Sequence, residues 1–245
     1  MKLFARLALA GACVWAAASV STPAHAEVQI NGTRVIYPAS EAEVTVQVQN
    51  TGGSPRLLQV WTDGGDPKET VDTGTAPFLV TPPISRLEVG KGQALRLMFT
   101  GSDVPQDRES VYWLNVLEVP PRPKAGTTSD NFMQFAVRTR IKIFYRPNGL
   151  PGAPLDSIPQ LTWRLVHEGG RPALACANGT AYNVSFADVR VEGGVRENMP
   201  RGGMCPAKGN ATFPLEGAPG ASGTVLFTAI NDFGGFVEGK AAYTN

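Results

Sequence analysis

Apolar residues recur at every second position along this chain, the period of a half-buried strand rather than the 3.6 of a helix. Val44, Val46 and Val48 alternate with Thr45, Gln47 and Gln49, and Leu95, Leu97 and Phe99 alternate with Arg96, Met98 and Thr100. Further short runs fall near 33–37, 56–62, 84–89, 111–119 and 131–145, separated by turns that carry Gly or Pro. Seven or so strands in this stretch predict a β-sandwich of immunoglobulin type. The segment Arg146–Pro154 then places three prolines and two glycines in nine residues, which no central strand tolerates, so it reads as a linker. A second strand series follows at 161–166, 173–177, 184–191, 224–230 and 236–243. The expected architecture is all-β with two domains, 27–147 and 152–245.

Composition agrees with that pattern. The 27 Gly and 20 Pro are about a fifth of the 245 residues, above average usage, and they call for many turns and few long helices. The start of the chain is different. Lys2 and Arg6 precede an apolar run from Leu7 to Val20, then Ser21-Thr22-Pro23 and Ala24-His25-Ala26. This is the order of an export signal covering 1–26, with cleavage expected before Glu27. The run is too short for a spanning helix, and no other segment is expected to insert in a membrane. A lipoprotein reading at Cys13, behind Ala10-Gly11-Ala12, would cut the chain after only six apolar residues and lacks the customary leucine. Loss of Lys2 and Arg6 moves the formal net charge from +1 to −1, which gives no reason to expect nucleic acid as a partner. It also leaves two cysteines, Cys176 and Cys205. An even pair in an oxidising compartment favours a disulfide, worth ~3–4 kcal/mol on the chain-entropy estimate; two buried free thiols are the rival reading.

Catalytic and cofactor motifs are missing. The chain has no phosphate-binding loop ending in Lys-Ser/Thr and no Gly-x-Ser-x-Gly elbow. Cys176, Cys205 and His167 lack zinc-site spacing, and Asp63-Gly64-Gly65-Asp66 reads as a tight turn rather than a calcium loop. Neither enzyme activity, cofactor nor metal is expected. Trp61, Trp113 and Trp163 sit in strand-like apolar patterns and are expected in the core.

In residues 131–147, Met133, Phe135 and Val137 fall on one face of an extended strand, and Gln134, Ala136, Arg138, Arg140 and Lys142 on the other. Two readings stand. The row Met133/Phe135/Val137 packs into its own sandwich, or it belongs to an edge strand and is offered to another protein. Edge strands normally carry protection against such pairing, and here charge begins only at Arg138.

Five motifs in series resemble one family. They are Gly32-Thr33-Arg34-Val35-Ile36-Tyr37, Thr81-Pro82-Pro83-Ile84-Ser85-Arg86-Leu87, Pro105-Gln106-Asp107-Arg108-Glu109-Ser110, Asn115-Val116-Leu117-Glu118-Val119-Pro120-Pro121 and Ile141-Lys142-Ile143-Phe144-Tyr145-Arg146-Pro147. Together they resemble the PapD-like periplasmic chaperones of the chaperone–usher pathway, which assemble pili; Asn231-Asp232-Phe233-Gly234-Gly235 extends the likeness to the second domain. The resemblance implies two immunoglobulin-like sandwiches set as a boomerang, located in the periplasm. It implies that Arg34 and Lys142 anchor the C-terminal carboxylate of a pilus (fimbrial) subunit, and that Met133, Phe135 and Val137 are donated to the subunit's open groove by β-augmentation. It further implies that Glu109, Arg146 and Asp232 form an ion network joining the domains. The complex would pass to an outer-membrane usher without nucleotide; self-capping of the free chaperone as a homodimer stays open. The short connection from Pro121 to Asn131 suits the short-loop branch, whereas a Cys176–Cys205 bridge is no family transfer. The competing class is a structural or adhesive sandwich of the surface fibre itself, which would need a donor extension ahead of Arg34; Glu27–Ile36 instead runs straight into the Thr-Arg motif.

Overall fold

The computed structural model describes residues 27–101, 103–122, 133–193, 203–215, 217 and 219–245. The export signal with its cut before Glu27, the Cys13 alternative and most of the Pro121–Asn131 connection lie outside the described residues.

Residues 28–146 form two facing sheets. One holds β1 (Val28–Ile30), β3 (Val44–Asn50), β7 (Gly92–Phe99) and β5 (Phe78–Thr81), in that spatial order. The other holds β2 (Arg34–Pro38), β9 (Val137–Arg146), β8 (Ser110–Val119), β4 (Arg56–Asp63) and β6 (Ile84–Leu87). Alternation sets the burial: Val46 and Val48 of β3 and Leu95 and Leu97 of β7 face inward, and the residues between them face out. An aromatic group closes one end of the core. Tyr37 stacks on Tyr145 and meets Phe78 edge-on, while its hydroxyl donates to the Ala42 carbonyl and accepts the Phe99 amide, both at 3.0 Å. All pairings in these sheets are antiparallel except β2 with β9. That exception puts Arg34 directly opposite Lys142.

The linker leads into a short helix, α1 (Pro154–Ser157), and a 3-10 turn at Ile158–Gln160 that period-two reading did not foresee. Pro154 stands where a helix has no need of its N–H. The second sandwich is one sheet wrapped on itself. Its order is β13 (Gly203–Cys205), β12 (Val184–Val191), β15 (Ser222–Ile230), β16 (Phe236–Thr244), β10 (Thr162–Glu168), β11 (Arg171–Asn178) and β14 (Gly209–Pro214). The turn of the sheet is the parallel step from β16 to β10. Trp163 centres this core, 5.6–5.7 Å from the rings of Phe186, Phe213 and Phe227. The Cys176–Cys205 disulfide ties β11 to β13 across it, with Cα atoms 6.2 Å apart. Both cysteines are fully buried, and the bridge joins the two ends of the wrapped sheet where β13 is only three residues long.

Strand count and strand ends differ from the sequence reading. Among the described residues the first sandwich has nine strands, more than the sequence reading expected because β1 and β5 are too short to show alternation. Strand β9 starts at Val137, not near 131. The ladder with β8 ends at Glu118 opposite Val137, and one residue further, after Val119, that strand runs into Pro120 and Pro121, which have no N–H to donate. Met133–Ala136 therefore lie beyond the sheet. Of the three tryptophans expected in the core, Trp163 sits in one; Trp61 is buried but lies, like the half-buried Trp113, on the outer face of the β4–β8–β9 sheet under an arginine.

Candidate functional site

The two sandwiches meet at a cleft, and Arg34 and Lys142 stand at its back. Arg34 and Lys142 are neighbours on β2 and β9, each half-buried. Arg34 Nη1 donates to the Ile230 carbonyl of the second sandwich at 2.9 Å, and its guanidinium lies 5.8 Å from the Phe144 ring. Its Nε is buried with no acceptor among the described residues. Lys142 Nζ donates to Ser185 Oγ at 3.3 Å and has no carboxylate partner there. Burial, followed by the adjacent Arg34 charge, brings the Lys142 pKa down to about 8. Burial also lowers that of Arg34, with Asp232 pulling the other way. Two under-satisfied cations side by side make an anion site: repulsion between them is relieved when a negative group arrives. The cavity beside Arg34 is walled by Glu109, Phe144, Leu155, Ile230 and Asp232.

Glu109, Arg146 and Asp232 are brought together from three separate segments. Arg146 Nε donates to Glu109 Oε1 at 2.7 Å, and Nη1 and Nη2 reach the two Asp232 oxygens at 2.9 and 3.2 Å. Glu109 also accepts from the Asn183 backbone N–H at 2.9 Å, so it bonds both halves of the molecule. Burial pushes the Glu109 carboxyl above the usual glutamate value while Arg146 and Asn183 pull it back. For Arg146, burial opposes the charge, and hydrogen bonds to Asp232 and Glu109 outweigh it, so the pKa is raised. The Asn231–Gly235 turn presents Asp232: Asn231 Oδ1 accepts from the amides of Phe233 and Gly235. Next along, Gly234 sits at φ 83°, in the left-handed region, with Thr33 Oγ1 only 2.9 Å from where a Cβ would be. Further contacts across the junction run from Lys208 to Asp107 and from the Glu109 amide to the Ala181 carbonyl. Arg146→Ala is expected to leave each sandwich folded and to broaden the interdomain angle, since buried ion pairs of this kind set orientation more than net stability. Small-angle scattering should show a larger radius of gyration with unchanged circular dichroism; an unaltered profile contradicts this.

The Met133/Phe135/Val137 row faces solvent, at 80%, 70% and 39% exposure. The reading that packs it into its own sandwich is thus overturned. The description of β9 as an edge strand needs a correction as well, because β2 covers residues 142–146 and leaves only the first half of the strand open. Gln134 Nε2 holds the approach to that half by donating to the Pro120 carbonyl at 2.7 Å and the Pro121 carbonyl at 3.2 Å.

A polar cluster on the outer sheet face escaped the sequence reading. Asp63, at the end of β4, has no exposed surface. Its carboxylate accepts from Arg140 Nη2 at 2.6 Å, Asn115 Nδ2 at 2.7 Å, the Gly65 amide at 2.8 Å and Arg138 Nη2 at 3.3 Å. Arg138 also donates to the carbonyls of Pro67 and Glu69, pinning the 64–75 loop. The Asp63-Gly64-Gly65-Asp66 turn thus spends its first carboxylate on two guanidinium groups. The available signal was the period-two run Arg138, Arg140, Lys142, which places three cations on one face beside tryptophan-bearing strands.

Comparison with known proteins fits this geometry. Residues 27–151 match the family described as "Pili and flagellar-assembly chaperone, PapD N-terminal domain", and residues 156–241 match "Pili assembly chaperone PapD, C-terminal domain". The chain is 40% identical over 233 residues to the probable fimbrial chaperone YadV of Escherichia coli K12, covering 94% of this chain and 95% of that one. It is 35% identical to the chaperone protein HifB of Haemophilus influenzae, covering 98% and 97%. Among solved structures, the YadV chaperone has a TM-score of 0.74 at 40% identity over 89% of this chain and 100% of its own. The SafB chaperone of Salmonella enterica, solved in complex with the SafA pilin, has a TM-score of 0.74 at 30% identity over 92% and 99%. Two sandwiches of this topology and relatives spanning nearly the whole length lead to one conclusion: the chain belongs to the PapD-like family of pili-assembly chaperones of the chaperone–usher pathway.

Proposed function

We propose that this protein is exported to the periplasm, where it binds a pilus subunit by donor-strand complementation and passes it, without ATP, to an outer-membrane usher. The subunit's terminal carboxylate sits between Arg34 and Lys142, and the Met133/Phe135/Val137 row fills the subunit's open groove. Domains 27–147 and 152–245 act as two arms whose angle is held by Glu109, Arg146 and Asp232. The observation that carries the reading is the pair of cations in direct register at the cleft: among the described residues the buried Arg34 Nε has no acceptor and Lys142 has no carboxylate partner. The pilin bound to SafB supports the same class of partner. A fibre-subunit role has against it a chain that matches the chaperone family in both of its domains.

The test is calorimetry with a purified subunit of the same pilus system. Charge-assisted bonds are worth about 1.5–3 kcal/mol each, so Arg34→Ala or Lys142→Ala should weaken binding roughly ten- to a hundredfold. The pH dependence carries a second signature. A bound carboxylate raises the Lys142 pKa above its free value of about 8, so complex formation above pH 8 must take up a proton. Affinity therefore falls by about tenfold between pH 7 and pH 9, and Lys142→Met abolishes the dependence. A subunit with an amidated C-terminus that binds as tightly as the free acid would refute the anchor.

A further inference from the structure

Trp113 lies directly opposite Lys142 in the β8–β9 ladder. Its ring receives two cations, the Arg140 guanidinium at 4.6 Å and the Lys142 ammonium at 5.7 Å from ring centres. Both are inside the roughly 6 Å range in which a ring face attracts a cation. Arg140 is fixed there by Asp63 and by Asn115 Oδ1, which accepts from its Nε at 3.1 Å. The fully buried Asp63 carboxylate also cancels much of the Arg140 charge that Lys142 would otherwise meet on its own strand. The groups facing Lys142 are then Arg34 from β2, Arg140 along β9, the Trp113 ring from β8 and the Ser185 hydroxyl from β12. Across the cleft, Glu109 and Asp232 are committed to Arg146. Among the described residues the ring and the Ser185 hydroxyl thus favour the ammonium, while burial and Arg34 oppose it.

We propose that Trp113 is a positioning residue for the subunit anchor: its ring holds the Lys142 ammonium toward the cleft and keeps it charged while the site is empty. The functional meaning rests on the reading of Lys142 as the carboxylate anchor, but the state of the ammonium is measurable in the free chaperone.

The experiment is an NMR titration of the mature protein carrying lysine labelled with carbon-13 at Cε, the Lys142 signal being identified by its loss in Lys142→Met. Trp113→Leu keeps an apolar side chain and removes the ring, so the Lys142 midpoint should drop from about 8 by about half a unit to one unit. Trp113→Phe, with a weaker ring, should shift it by less, and serves as the decisive variant if the leucine protein does not fold. Subunit affinity in Trp113→Leu should fall about two- to threefold at pH 7.5 and stay at the wild-type value at pH 6, where the ammonium is charged in both proteins. A merely structural role would weaken binding equally at both pH values. A midpoint that does not move in the folded variants overturns the proposal. A midpoint that moves while Lys142→Met binds subunit normally would overturn the anchor reading instead and leave only the ring's hold on the ammonium standing.

Discussion

Asp63→Ala is expected to destabilise the first sandwich by about 3–5 kcal/mol, toward the lower end because Arg138 and Arg140 are each partly open to solvent. Removing the carboxylate leaves two guanidinium groups facing each other with no counter-charge; it orphans the Gly65 amide and leaves Asn115 Nδ2 only its long 3.4 Å bond to the Trp61 carbonyl. The 64–75 loop loses its tether at the same stroke, because Arg138 is the group that reaches its carbonyls. Urea unfolding followed by the fluorescence of Trp61 and Trp113, which lie under these arginines, reports the loss directly. The second sandwich, with its own tryptophan and its disulfide, should keep its transition. A midpoint shift worth less than about 1 kcal/mol would mean that the cluster is an ordinary exposed pairing.

Replacing Met133, Phe135 and Val137 together by serine should lower subunit affinity at least about a thousandfold while leaving the free chaperone as stable as before. Three apolar side chains buried in a partner's groove contribute about 5–9 kcal/mol before ordering costs, and a thousandfold is about 4 kcal/mol. No compensating loss arises in the unbound protein, since these side chains make little of its core. Equal melting curves with binding retained within tenfold would place the grip elsewhere on the molecule.

How much of this was legible in the sequence depended on whether the cause was local. The β3 and β7 faces could be read directly, since Val46, Val48, Leu95 and Leu97 alternate with polar neighbours on one strand. The start of β9 could not, because what stops it is Pro120 and Pro121 at the end of the opposing strand β8, and the pairing register is not visible in the β9 residues themselves. Arg34 and Lys142 looked like solvated charges by pattern; only the resemblance singled them out, and their meeting depends on a parallel pairing between the two ends of a domain. Asp63 was invisible for the same reason. A carboxylate beside two glycines suggests a turn, and nothing nearby reveals that Arg138 and Arg140 arrive from a strand some 75 residues later. Short strands such as β1 and β13 hold too few residues for alternation to register and are fixed by their partners instead.

Gly234 gives the junction its geometry through an absence of atoms. Its bare α-carbon lets the hairpin lean on Thr33, the residue just before Arg34, so the two arms touch backbone to side chain. Even one methyl group at that point would meet the Thr33 hydroxyl and force a shift where the arms touch, two residues from Asp232 and one from Arg34. The aperture offered to a guest is in this sense gauged by the smallest residue in the protein.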